Sequence, residues 1–147
     1  MGAKFPKPRK TSISILMQKC HLLTKYGKLL IKDNSSRKID MDFLIKSTNT
    51  NIEYTIKIKQ DSICEVPKVF LLNDNLPIYE ETIPHIYGTR KIKGKEYLIL
   101  CPFHPKTDWD NKLIIANTVF LWAIEWIYFY EIWVVSGQWC GRWNTSR

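Results

Sequence analysis

Apolar and polar positions change their period along the chain, and each change marks an element. From residue 11 onward, Ile13, Leu16, Met17, Cys20 and Leu23 keep the three-to-four spacing of one helix face. Thr11 or Ser12 can serve as N-cap and Gly27 as the residue beyond the last turn, so the spacing predicts a first helix over residues 12–26. The period then becomes two. Ile39, Met41, Phe43 and Ile45 alternate with Asp40, Asp42 and, imperfectly, Leu44. Ile52, Tyr54, Ile56 and Ile58 alternate with Glu53, Thr55, Lys57 and Lys59, and the polar residues 47–51 between the two runs read as a hairpin loop. A third strand is predicted over residues 66–72, closed by Asn73-Asp74-Asn75.

Residues 73–95 hold Pro77, Pro84, Gly88 and Gly94 among polar residues and read as one long irregular loop, the kind of segment that tends to carry function. The short apolar strand Tyr97-Leu98-Ile99-Leu100 follows and delivers the chain to Cys101-Pro102-Phe103-His104-Pro105. Residues 113–135 are apolar enough to raise a membrane span. Glu125 and Glu131 argue against one, because each carboxylate at bilayer depth would cost about 2.5–3.5 kcal/mol. On a helix, Asn117, Leu121, Glu125, Tyr128 and Glu131 share one arc, while Ile115, Trp122, Trp126, Phe129 and Trp133 lie on another. That is the pattern of a helix packed on a sheet. The expected fold class is α+β: a first helix, an antiparallel meander with one wet face and one face covered by that helix, and a long final helix.

Charge sharpens this picture. The 147 residues carry 22 Lys+Arg and 14 Asp+Glu, for a net charge of +8. Residues 1–40 hold ten of the basic residues and only Asp33 and Asp40, so residues 41–147 are neutral overall. A surface coated for nucleic acid is therefore not expected, although a basic arm over residues 1–10 could still meet a polyanion. The organisation expected is that flexible basic arm, then a single domain over residues 11–147.

The N-terminal apolar run is too short for a signal segment, and Pro6 stands where a myristoylation signal needs Ser or Thr. Four cysteines without a framework spacing point to free thiols and a cytoplasmic setting.

Among those cysteines, Cys101 is the strongest candidate for chemistry. It ends an apolar strand, Pro102 turns the chain away after it, and His104 and Lys106 can supply the positive surroundings that favour a thiolate. The competing reading is a small buried core residue. Cys20, on the apolar face of the first helix, is expected in the core, and Cys64 in packing; Cys140 is the rival nucleophile. Cys101 and His104 have no second ligand pair, Glu125 and Glu131 do not converge on a helix, and no glycine-rich phosphate loop is present. No metal or cofactor is expected.

The run Leu100-Cys101-Pro102-Phe103-His104-Pro105, then Trp109, Ile115-Ala116-Asn117-Thr118, Leu121-Trp122-Ala123-Ile124-Glu125-Trp126, Tyr130-Glu131 and Ser136-Gly137-Gln138-Trp139-Cys140-Gly141 resembles a known family. It is similar to the bacterial ubiquitin-conjugating-enzyme-like (UBC-like) proteins of short type II CBASS anti-phage operons, over residues 97–142. The resemblance implies a UBC-like α+β fold and a cysteine transferase. In that reading Cys101 holds the C-terminus of a cGAS-like CD-NTase from the same operon as a thioester, and conjugates or primes it for cyclic-nucleotide signalling.

In the eukaryotic relatives a His-Pro-Asn motif precedes the cysteine, whereas here His104-Pro105 follows it and no Asn completes the motif. Oxyanion support is therefore open between His104, Asn111 and backbone amides near Phe103. Trp139 and Gly141 are candidates for binding the partner's tail, against a purely structural role. The other readings are a non-catalytic adaptor for the CD-NTase and, last, a nucleic-acid-binding module using the basic arm. No membrane partner is expected.

Overall fold

A computed structural model of the chain describes residues 13–25, 29–32 and 35–141. The basic arm and the caps expected at Thr11, Ser12 and Gly27 lie outside the described residues. The elements run α1 (Ile15–Lys25), β1 (Leu29–Lys32), β2 (Ile39–Lys46), β3 (Glu53–Gln60), β4 (Lys68–Leu72), β5 (Ile86–Ile92), β6 (Lys95–Leu100), a 3-10 turn (Ile115–Asn117) and α2 (Val119–Ser136). The strands form one antiparallel sheet in the order β1-β2-β3-β4-β6-β5. This is an α+β architecture, with the helix, antiparallel strands and long C-terminal helix of a UBC-like fold.

The alternating strands pair as their pattern requires. β2 and β3 run in unbroken register from Ile39 opposite Gln60 to Lys46 opposite Glu53, so Ile39, Met41, Phe43, Tyr54, Ile56 and Ile58 all enter the core. Each such side chain contributes about 1.5–3 kcal/mol through the apolar surface it removes from water. On the opposite face Lys57 bridges Asp40 and Asp42, at 2.7 Å each. That face is not simply wet. Phe70, Leu72 and Tyr97 form a second buried apolar cluster there, with Ile92 and Ile99 against it.

Two strands depart from the sequence reading. β1 adds an edge beside β2, and β5 occupies part of the segment read as an irregular loop. β5 pairs only with β6 and leaves most of its residues partly or fully exposed, so it carries no apolar alternation to betray it. Its turn is nonetheless tight. Ile92 pairs with Lys95 across Lys93 and Gly94, whose φ angles of 50° and 81° suit the two-residue hairpin that matches strand twist.

Both helices are rotated from the expected faces. α1 buries Ile15, Gln18, Lys19 and Leu22, leaving Leu16, Met17, Cys20 and Leu23 exposed. Gln18 explains the rotation: its amide donates to the Leu113 carbonyl at 2.7 Å and accepts the Ile115 N–H at 2.9 Å, so a polar residue is satisfied inside. The Lys19 ammonium donates to the Ser35 carbonyl on the same side.

α2 buries Val119, Phe120, Ala123, Trp126, Ile127, Tyr130 and Glu131. Trp122, Phe129 and Trp133 flank this face rather than forming it. Glu131, placed in the polar arc by sequence, points inward because Ser47, Thr50 and Tyr54 all donate hydroxyl hydrogen bonds to its carboxylate. The segment Ile115–Ser136 is long and apolar enough to cross a membrane, yet this face is committed to the sheet. The helix ends where Gly137 takes a left-handed φ of 74° and donates its N–H to the Trp133 carbonyl at 2.8 Å.

Candidate active site

β6 stops at Leu100 because Pro102 cannot continue the ladder. The last sheet-like bond is from the Cys101 N–H to the His85 carbonyl, at 2.9 Å. His85 sits at a left-handed φ of 56° just before β5, and its carbonyl also accepts the Trp126 indole N–H at 2.9 Å. One oxygen thus ties the cysteine, the start of β5 and α2 together.

Beyond Cys101 the chain is pinned. Pro102 and Phe103 are buried, and the Phe103 ring lies 5.2 Å from that of Trp122. The His104 N–H donates to the Asp108 carboxylate at 2.8 Å, and the Asp108 N–H returns to the His104 carbonyl at 2.9 Å, closing a turn. Cys101 is left half-buried, its thiol facing the Phe103 carbonyl at 3.8 Å.

The thiol opens onto a cavity of about 550 Å³ lined by His85, Tyr87, Cys101, Phe103, His104, Pro105 and Lys106. Tyr87, Phe103 and Pro105 also line a second groove, of about 430 Å³, which runs over Phe70, Ile99 and Arg90 on the outer face of the sheet. Behind the cysteine is a tight aromatic crevice. There Trp139 packs 5.1 Å from His85, 5.4 Å from Trp126 and 6.2 Å from Phe129. Tyr87 holds its proton well above the ordinary tyrosine range, first through burial of its hydroxyl and then through hydrogen bonding to, and the charge of, Cys101.

Cys101 and His104 therefore share one cavity. Trp139 lies in the crevice behind, nearly buried, and Gly141 packs so closely on Phe129 that an added Cβ would sit 2.5 Å from the ring. Asn111 lines none of these spaces; its carbonyl accepts the Ile13 N–H ahead of α1.

The expectation that Cys20 is core and Cys64 packing is not met, since both are exposed. Cys20 follows the rotation of α1, and Cys64 lies in an exposed turn where the Ser62 hydroxyl accepts its N–H. Cys140 is exposed as well. Sequence reasoning passed over His85 and Tyr87 because the segment was read as loop; the Lys93-Gly94 hairpin signal would have placed Tyr87 on a strand beside Cys101, with His85 just ahead of it. Among the described residues, no three His, Cys, Asp or Glu side chains gather closely enough to hold a metal ion.

No curated protein matches the chain. The family model described as type II CBASS E2 protein matches residues 18–146, which takes in most of α1, the whole sheet, the cysteine loop and α2. The chain belongs to the type II CBASS E2 family.

Proposed function

We propose that the protein is a cysteine acyl transferase of the CBASS anti-phage response, with Cys101 as its nucleophile. The substrate is the C-terminus of the operon's cGAS-like CD-NTase, and the setting is the cytoplasm. The Cys101 thiolate adds to the tail's terminal carbonyl, whose π pair moves to oxygen. Collapse of that intermediate reforms the carbonyl and expels a leaving group, as from an acyl phosphate anhydride, to give a thioester. An amine then displaces the thiolate and forms an amide. In this reading His104, on the rim of the cavity, takes the proton of the incoming amine.

The observation that carries the proposal is the placement of Cys101: a half-buried thiol at the mouth of a cavity of about 550 Å³, continuous with a long groove through Tyr87, Phe103 and Pro105. A tail laid in that groove would bring its end to the sulfur, and pre-set geometry of this kind lowers the barrier to attack. Cys20, Cys64 and Cys140 line none of the three spaces around the site.

The test is co-expression with the operon's CD-NTase. Wild type is expected to form a hydroxylamine-sensitive adduct and to protect cells from phage, and Cys101→Ala to lose both. Protection that survives Cys101→Ala would instead make the protein an adaptor.

A further inference from the structure

The geometry points to the Tyr87 hydroxyl as the side-chain donor that stabilises negative charge at Cys101, first on the sulfur and then on the oxyanion of the tetrahedral intermediate. This rests on Cys101 being the acylated nucleophile, and it fills the place left by the missing Asn of the eukaryotic motif.

Three observations support it. The β5–β6 register slips between Ile86 and Gly88, so Tyr87 sits at an irregularity of the strand beside the end of β6. Such irregularities re-aim side chains, and they recur next to active sites. Tyr87 also lines both the Cys101 cavity and the adjoining groove, its hydroxyl partly desolvated although the residue as a whole is 60% exposed. Finally, several alternatives are less well suited. The Phe103 carbonyl is an acceptor, the His104 backbone N–H is held by Asp108, and Asn111 lines neither space. The His104 imidazole is assigned to the incoming amine, and Lys106 lines the cavity as an exposed side chain.

A phenol that keeps its proton well above the ordinary range remains a neutral donor whenever Cys101 is a thiolate. As the C–S bond forms, the charge moves from sulfur to the carbonyl oxygen a bond length or two away. The same O–H can follow it without proton transfer, and collapse to the thioester returns the donor to its starting state.

The test separates acylation from alkylation at the same sulfur. Acetylation of Cys101 by 4-nitrophenyl acetate passes through an oxyanion, whereas alkylation by iodoacetamide does not; peptide mass mapping follows both at Cys101. Tyr87→Phe is expected to slow acetylation about 10²-fold, the usual cost of losing one oxyanion donor, while alkylation, which loses only the support to the thiolate, slows far less. Tyr87→Gln, which restores an N–H donor, is expected to recover part of the loss. Equal losses in both reactions, or none in acetylation, would overturn the role of Tyr87 and leave Cys101 as nucleophile. A wild-type Cys101 no more readily acetylated than exposed Cys20 would overturn the nucleophile reading and Tyr87's role with it.

Discussion

The indole N–H of Trp126 donates to the His85 carbonyl at 2.9 Å, and that oxygen also holds the Cys101 N–H at 2.9 Å. Helix α2 thereby fixes the start of β5 against the end of β6, and with it the spacing between Tyr87 and Cys101. Trp126→Phe keeps a ring in the crevice but removes one donor and some volume. It is expected to cost about 1–3 kcal/mol in urea unfolding and to slow acetylation of Cys101 in the folded protein.

Glu131 is a buried carboxylate held, among the described residues, by three hydroxyls: Ser47 at 2.6 Å, Tyr54 at 2.8 Å, and Thr50. Tyr54→Phe removes one donor to a charged group, at an expected cost of about 1–3 kcal/mol. Glu131→Ala strands three hydroxyls at once and should cost more. Denaturant midpoints of the two variants check the order.

Stability should fall at alkaline pH, and the sign follows from Tyr54 and Lys57. Burial and then Glu131 raise the Tyr54 phenol far above its ordinary 10.0. Lys57 is raised above 10.5 because its bonds to Asp40 and Asp42 together outweigh desolvation, which is the largest single influence and acts in the opposite direction. In both cases the unfolded chain loses its proton first. The stabilisation is complete below the unfolded values and is lost as pH rises through the folded ones. Asp42→Asn should therefore cost about 1–3 kcal/mol near neutral pH, with the deficit shrinking above pH 10.5 as Lys57 discharges. Thermal unfolding from pH 7 to 11 reads this directly.

His104 and Asn111 should separate in transfer assays. Loss of a positioned proton acceptor typically costs 10²-fold or more, so His104→Ala is expected to slow transfer to an amine by about that factor. Asn111→Ala, which lines no part of the Cys101 cavity, should leave the rate nearly unchanged. Single-turnover decay of the thioester with an added amine distinguishes them.

Much of this was legible in the residues. Alternation from Ile39 to Ile58 gave two strands and their inward faces, because one side of that hairpin is buried and the other is charged. The cysteine loop was legible from Pro102 and Pro105, which end the ladder and turn the chain. The helix faces were not. Gln18 and Glu131 are polar residues satisfied inside by partners 77 to 97 residues distant in sequence, and no local pattern reports such a partner. Nor was β5, an edge strand whose exposed residues have no reason to alternate. Because His85 immediately precedes it and Tyr87 lies on it, two of the seven residues lining the Cys101 cavity were hidden with it.

The central claim is tested most directly by mapping the bond itself. Protein purified with its operon's CD-NTase under non-reducing, mildly acidic conditions can be digested and its cross-linked peptides sequenced by mass spectrometry. The account predicts the CD-NTase's C-terminal peptide on the sulfur of Cys101, released by hydroxylamine and missing from Cys101→Ala. The same peptide attached undiminished in Cys101→Ala, or found on Cys140 in wild type, would contradict it.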